Sequence, residues 1–295
     1  LQNEPEVVAT DTKLRMIERL VAAGARRIEV ASFVHPKRVP QMADAESLVA
    51  ALPVREDVTW IGLVINERGL ERALATRDAV GHGIDEIGCV AVASDGFGMR
   101  NQGMGWEESV AVANRLVNRA KREGLSAQVT VSVCWGDPFE GDVPMARVVE
   151  IVRRLSESEP REIGLADTIG VAVPALVEEL FHRAREAAGG LPLRAHFHDT
   201  RNTGVANAWT AWRAGVRTID ASIGGLGGCP FAPRATGNVA SEDLAYLFAR
   251  SGVATGLDLG ALIDTARWLS EEVIGRPLAG AVSRAGPFPS PTTGT

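Results

Sequence analysis

The chain has 295 residues, of which 45% are hydrophobic and 23% charged, and its formal net charge is -6. Such a length admits one large domain or two ordinary ones, and such a balance describes an ordinary water-soluble globule. The negative charge argues against a general nucleic-acid binder, which carries a basic patch. No apolar run approaches the roughly eighteen residues of a membrane span, and no signal peptide is visible.

The predicted elements alternate. Leu1 to Asp11 reads as a loop, and Thr10 or Asp11 can cap a helix from Thr12 to Ala23, with Leu14, Ile17, Leu20 and Val21 at helical spacing. Gly24 ends that helix, and Arg27 to Ala31 is a strand. Helices then alternate with strands: Val39 to Ala51 with Val58 to Val64, Glu67 to Val80 with Ile84 to Ala91, and Trp106 to Glu123 with Gln128 to Cys134. Val143 to Ser158 precedes the strand Glu162 to Ala166, and Val173 to Ala188 precedes a strand beginning at Leu193. Gly204 to Ala214 precedes Thr218 to Ile223, and two helices follow, Ser241 to Arg250 and Asp258 to Ile274. No linker composition divides the chain. Residues 1–286 are therefore expected to form one domain, and the Pro/Ser/Thr/Gly-rich 287–295 reads as a disordered tail.

Repeated βα units indicate a parallel sheet, either doubly wound or closed as a (β/α)8 TIM barrel. The strands fall one short of the eight a barrel needs. The chain also begins without Met, so the first barrel strand is expected upstream of Leu1. Chemistry in barrels sits at the carboxyl ends of the strands. Glu29, Asp167, His196, His198 and Asp199 lie there, with the run Gly224-Gly-Leu-Gly-Gly-Cys-Pro230 and Asn238 beyond. In an extended strand His196 and His198 project to one face and Phe197 to the other. Two imidazoles so placed, with Asp199 next to them, make half a divalent-cation site; the plainer reading is a hydrogen-bonded strand end. Cys89, Cys134 and Cys229 lack C-x-x-C spacing and read as free thiols in a reducing compartment. Cys89 and Cys134, in apolar strands, read as core fillers.

An ordered set of motifs carries a family resemblance: Leu1-Gln-Asn-Glu4, Ile28-Glu-Val-Ala-Ser-Phe-Val34, Val39-Pro-Gln-Met42, Leu165-Ala-Asp-Thr-Ile-Gly170, His196-Phe-His-Asp-Thr200, the glycine run to Pro230 and Gly237-Asn238. Together they resemble the 3-hydroxy-3-methylglutaryl-CoA lyase family, metal-dependent TIM barrels related to Claisen-type synthases. The resemblance runs from Leu1 to about Pro277. It implies Mg2+ or Mn2+ held by His196, His198 and the side-chain oxygen of Asn238. The family's further Asp ligand and catalytic Arg, in an Arg-Asp-Gly segment, would precede Leu1. The implied reaction is a retro-Claisen cleavage of a 3-hydroxy-3-alkylglutaryl-CoA to acetyl-CoA and a 3-keto acid. Glu29 and Asp167 would serve proton relay and positioning, His196 orientation as well as ligation, and Cys229 would be the acid of a mobile glycine-rich loop.

The resemblance further implies an acyl-CoA partner, a homodimer, a cytoplasmic place (the mitochondrial matrix in a eukaryote) and a role in leucine breakdown. Without the family frame, Glu29 and Asp167 would read as strand-end carboxylates paired with barrel Arg or Lys. Likewise, the glycine run would read as a phosphate cradle with an incidental thiol. Lys37, Arg100 and Arg276 are candidates for the CoA phosphates, against the plainer reading that each is solvated. His35 reads equally as cleft mouth or surface, and His82 and His182 receive no role. Departures at Arg201-Asn-Thr203, at Ser94 to Asn101 and at Phe197 leave a longer or bulkier C3 branch open. Two rivals stand beside this reading: a Claisen-type synthase of the same superfamily, and a barrel without catalysis that serves as a binding subunit.

Overall fold

The fold comes from a computed structural model that describes residues 1–228 and 237–289. Its strands are β1 (Arg27–Ser32), β2 (Thr59–Leu63), β3 (Glu86–Val92), β4 (Ser126–Ser132), β5 (Ile163–Asp167), β6 (Leu193–Phe197) and β7 (Thr218–Asp220). They form one 7-stranded sheet in sequence order, every neighbouring pair parallel. The sheet curls into a TIM barrel lacking one strand. Among the described residues β1 and β7 each pair on one side only, so a seam runs between them.

The helices are α1 (Thr10–Ala22), α2 (Ala45–Ala50), α3 (Glu67–Val80), α4 (Asp95–Asn101), α5 (Trp106–Arg122), α6 (Met145–Ser156), α7 (Pro174–Ala187), α8 (Gly204–Arg213), α9 (Ser241–Arg250), α10 (Leu259–Trp268) and α11 (Ala281–Ala285). Strand alternation sends Ile87, Val129, Val131, Ile163, Leu165 and Phe197 toward this ring. There they are fully buried in one cluster with Leu116, Ile151, Leu155, Leu180 and Phe181. Each such side chain contributes about 1.5–3 kcal/mol of burial free energy. A smaller cluster joins Ile223, Leu226, Leu262, Leu269 and Leu278 to Met16 and Leu20 of α1.

Most elements lie where periodicity places them, but the strand expected to Ile223 ends at Asp220, and some helices differ. The helix expected over residues 39–51 is a 3-10 turn, Pro40–Met42, followed by α2. Pro40 lacks an N–H and suits only a first turn. Long-range bonds then hold the break: Asp44 accepts from Thr10 Oγ1 (2.7 Å) and Lys13 Nζ (2.6 Å), and Lys13 also reaches the Gln41 carbonyl. The helix expected to Ile274 leaves α geometry after Trp268 for a π-helical stretch, Leu269–Ile274, closed by left-handed Gly275. The short helices α4 and α11 were not expected. Ser94 caps α4, its hydroxyl accepting from Phe97 N.

Candidate metal centre and active site

β6 carries Arg194 and His196 toward the lumen, and His198 follows one step above. The two imidazole centroids are 5.3 Å apart. Segment 237–240 folds back beside the strand end: Asp199 N donates to Gly237 O, Val239 N to Phe197 O, and His198 forms an antiparallel bridge with Asn238. This brings Asn238 to the histidines. Its Nδ2 donates to Leu226 O at 2.9 Å, whereas its Oδ1 is buried without a hydrogen-bond partner. Leaving an acceptor so costs about 1–3 kcal/mol. An orphaned amide oxygen on a segment bridged to His198 fits a divalent cation, which takes mixed nitrogen and oxygen donors. Among the described residues no group of three or more His, Cys, Asp and Glu could hold a metal, so the candidate set depends on this amide oxygen.

The sequence-predicted carboxylates meet different fates. Glu29 faces the lumen from β1, opposite Gly88, where an added Cβ would lie 3.2 Å from its Oε2. Although Glu29 is exposed, the protein around its carboxyl removes enough water to push it up to about 7, with negative Asp220 adding to the rise and Arg194 and His196 opposing it. Asp167, fully buried, accepts from Val171 N and Ala172 N, both at 2.9 Å, so its two oxygens hold the turn between β5 and α7. Burial pushes its carboxyl up, against those backbone donors. Asp199 accepts from Gly204 N at 2.7 Å and anchors the start of α8, which occupies one of its oxygens.

Two lumen residues were not anticipated. Asp220 on β7 lies in register with His196, its Oδ2 3.1 Å from His196 Nδ1. Its burial opposes ionisation, but Arg194 and His196 outweigh that and hold the carboxyl below its ordinary value. Arg194 donates to Asp220 and to Thr130 Oγ1 (2.6 Å), and its Nε is 3.7 Å from Glu162. Below, Glu162 accepts from Arg27 (2.7 Å) and Thr218 (2.6 Å), and Glu86 accepts from Arg27 and Arg161. The alternation Arg194-x-His196 and Thr218-x-Asp220 was a usable signal for both residues. Gly164, a glycine inside a strand, was another, because a Cβ there would lie 2.7 Å from an Arg194 nitrogen.

The remaining expectations divide. Gly224, Gly225 and Gly227 take left-handed φ of 65°, 71° and 92°, which favours glycine; Cys229 lies outside the described residues. Beside this turn opens a cavity of about 370 Å³ lined by Gly225, Leu226, Gly237, Leu278, Glu4 and Arg276. Arg276 is paired there with Glu4 at 2.8 Å, and Arg100 stacks on Phe139 at 3.9 Å, so neither is merely solvated. Cys89 and Cys134 are buried core thiols, as expected, and burial pushes both well above the ordinary thiol range. His35 Nδ1 accepts from Lys37 N in an exposed turn. No helix among the described residues is long and apolar enough to cross a membrane.

The chain matches the model of the HMGL-like family over residues 1–269. It is 42% identical over 297 aligned positions to (R)-citramalyl-CoA lyase of Chloroflexus aurantiacus, covering 97% of this chain and 92% of that one. To hydroxymethylglutaryl-CoA lyase YngG of Bacillus subtilis it is 37% identical, covering 94% and 91%. Among solved structures, an HMG-CoA lyase from Acinetobacter baumannii in complex with coenzyme A and 3-methylmalate superimposes with a TM-score of 0.92 at 33% identity, covering 100% and 94%. A family-model match over most of the chain, 37–42% identity to lyases over nearly their whole length, and a barrel of the same shape place this chain in the HMGL-like family of lyases.

Proposed function

We propose that the chain cleaves a 3-hydroxy-3-methylacyl-CoA bearing a carboxylate, by a retro-Claisen reaction dependent on Mg2+ or Mn2+. The substrate is 3-hydroxy-3-methylglutaryl-CoA or a relative that shares its tertiary alcohol β to the thioester. One observation carries the reading: Asn238, whose buried Oδ1 has no hydrogen-bond partner, is bridged by its backbone to His198, whose ring stands 5.3 Å from that of His196 at the mouth of a lumen that also holds Glu29. When bound, the cation polarises the substrate's hydroxyl and carboxylate oxygens and makes the alkoxide accessible.

The residues of this chain do the rest. Glu29, with a carboxyl near neutrality, takes the hydroxyl proton. The alkoxide electrons form the ketone as the carbon–carbon bond breaks, and the bonding pair passes to the thioester as its enolate. A proton delivered to the enolate carbon gives acetyl-CoA; we assign this step to Cys229. Asp167 positions the rim by holding the turn after β5. The cavity beside Gly225 and Leu226 adjoins Asn238 through its bond to Leu226 O, and it offers room for the acyl-CoA chain.

The branch at C3 divides two substrates. Citramalyl-CoA carries its carboxylate directly on the alcohol carbon, and the hydroxymethylglutaryl thioester carries it one methylene further. The 42%-identical relative supports the first and the 37%-identical relative the second. Acetyl-CoA release measured side by side on both thioesters, and on longer-branched 3-hydroxy-3-alkylglutaryl-CoA, tests the reading. Release from at least one, abolished by chelation and restored by Mg2+ or Mn2+, is expected; none from any would overturn it.

A further inference from the structure

We propose that Asp220, clamped by Arg194, is the positioning residue that fixes the His196 ring for the cation. The inference rests on the metal reading above and concerns groups that do not themselves touch the cation. A carboxylate only accepts, so the 3.1 Å contact puts the hydrogen on His196 Nδ1 and leaves the lone pair on Nε2. Nε2 is then the ligating atom, and the ring plane is set by a second partner, as is usual for metal-binding histidines.

Asp220 needs outside support. It ends β7, which has only three residues, and its side chain is 31% exposed. Arg194, 4% exposed, supplies that support from the neighbouring strand. Thr130 anchors the guanidinium on one flank, and the bare Cα of Gly164 makes room for it. Glu162 stands below, tied to Arg27 and Thr218. A continuous column of charge thus runs from the barrel floor to the underside of His196. His198 is buried, and its backbone bridges Asn238.

The test uses the whole purified chain and Mn2+ alone as probe, titrated by electron paramagnetic resonance. Asp220→Ala is expected to weaken Mn2+ binding by about 10- to 100-fold. Asp220→Asn, which keeps an acceptor oxygen, recovers part of that loss. Arg194→Met costs less, and adds little on top of Asp220→Ala, because Arg194 acts through Asp220. In metal-free protein, 1H–15N spectra of the imidazoles should move His196 from the Nδ1–H toward the Nε2–H tautomer in Asp220→Ala. If that variant does not fold, Asp220→Leu, which also removes the acceptor, carries both readouts. Folded Asp220 variants with wild-type Mn2+ affinity and an unmoved tautomer overturn the proposal while the metal site stands. Wild-type protein that does not take up Mn2+, or His198→Ala that still does, brings down the metal reading and this inference with it.

Discussion

Along β4 two kinds of residue alternate: Ala127, Val129 and Val131 turn to the helices, and Gln128, Thr130 and Ser132 turn to the lumen. The same division runs through β5 and β6, where Ile163, Leu165 and Phe197 oppose Glu162, Arg194 and His196. The outer face is apolar and fully buried, as a sheet packed under helices must be. The inner face is charged, although barrels commonly fill this space with branched apolar side chains. Stability and chemistry are therefore separated by a single residue step. The outer face supplies burial free energy, and the inner face gathers Glu29, Asp220 and the histidines at one end of the lumen.

That contrast is broken most sharply at adjacent residues. His198→Ala is expected to lose bound metal and roughly a thousandfold in turnover, equivalent to about 4 kcal/mol, with little change in melting temperature. Metal analysis beside a thermal melt checks both halves. Phe197→Ala should do the reverse. Its ring, fully buried against Trp135, contributes about 3–5 kcal/mol of stability, which denaturant unfolding reads directly, while the variant's folded fraction keeps its Mn2+ affinity.

Next comes Glu29→Gln, with a loss of about 10²- to 10⁴-fold in kcat/KM. In the wild type the base is ionised above its value of about 7, so kcat/KM should fall about tenfold per pH unit below it. The Gln variant should lack that acid limb; a limb that persists unchanged would move the base elsewhere. The same shift has a stability consequence. A carboxyl whose value is raised on folding is tolerated best while protonated, so its contribution is greatest below its unfolded value and declines as pH rises toward about 7. Glu29→Gln should thus raise the melting temperature at pH 8 more than at pH 4.

Gly164→Ala probes the crowding of the lumen more gently, since its Cβ would lie 2.7 Å from Arg194. Overpacking of this kind costs about 1–3 kcal/mol and should also weaken Mn2+ binding by displacing the clamp. Smallest of all is Glu150→Ala on α6. Glu150 pairs with Arg153 and Arg154 at the solvent surface, and its loss should leave melting and turnover unmoved.

How much of this was legible beforehand follows from the range of each interaction. Helical and two-residue periodicities are local, so the alternation of strands and helices, the outward Phe197 and the shared face of His196 and His198 could be read from the chain alone. The break before α2 could not, because it depends on Lys13 and Thr10 reaching Asp44 from another helix. Asp167 was readable as a strand-end carboxylate. Its commitment to two backbone N–H groups is a property of how the following turn folds back.

The sequence by itself determined which side chains share a face, because a strand's pleat repeats every two residues whatever surrounds it. Tertiary structure alone decided which faces meet. It set Asn238 beside His198, left its Oδ1 unpaired, and stood Asp220 between Arg194 and His196. Those outcomes depend on barrel curvature and on a returning segment, and they join residues far apart in the chain whose contacts no local pattern encodes.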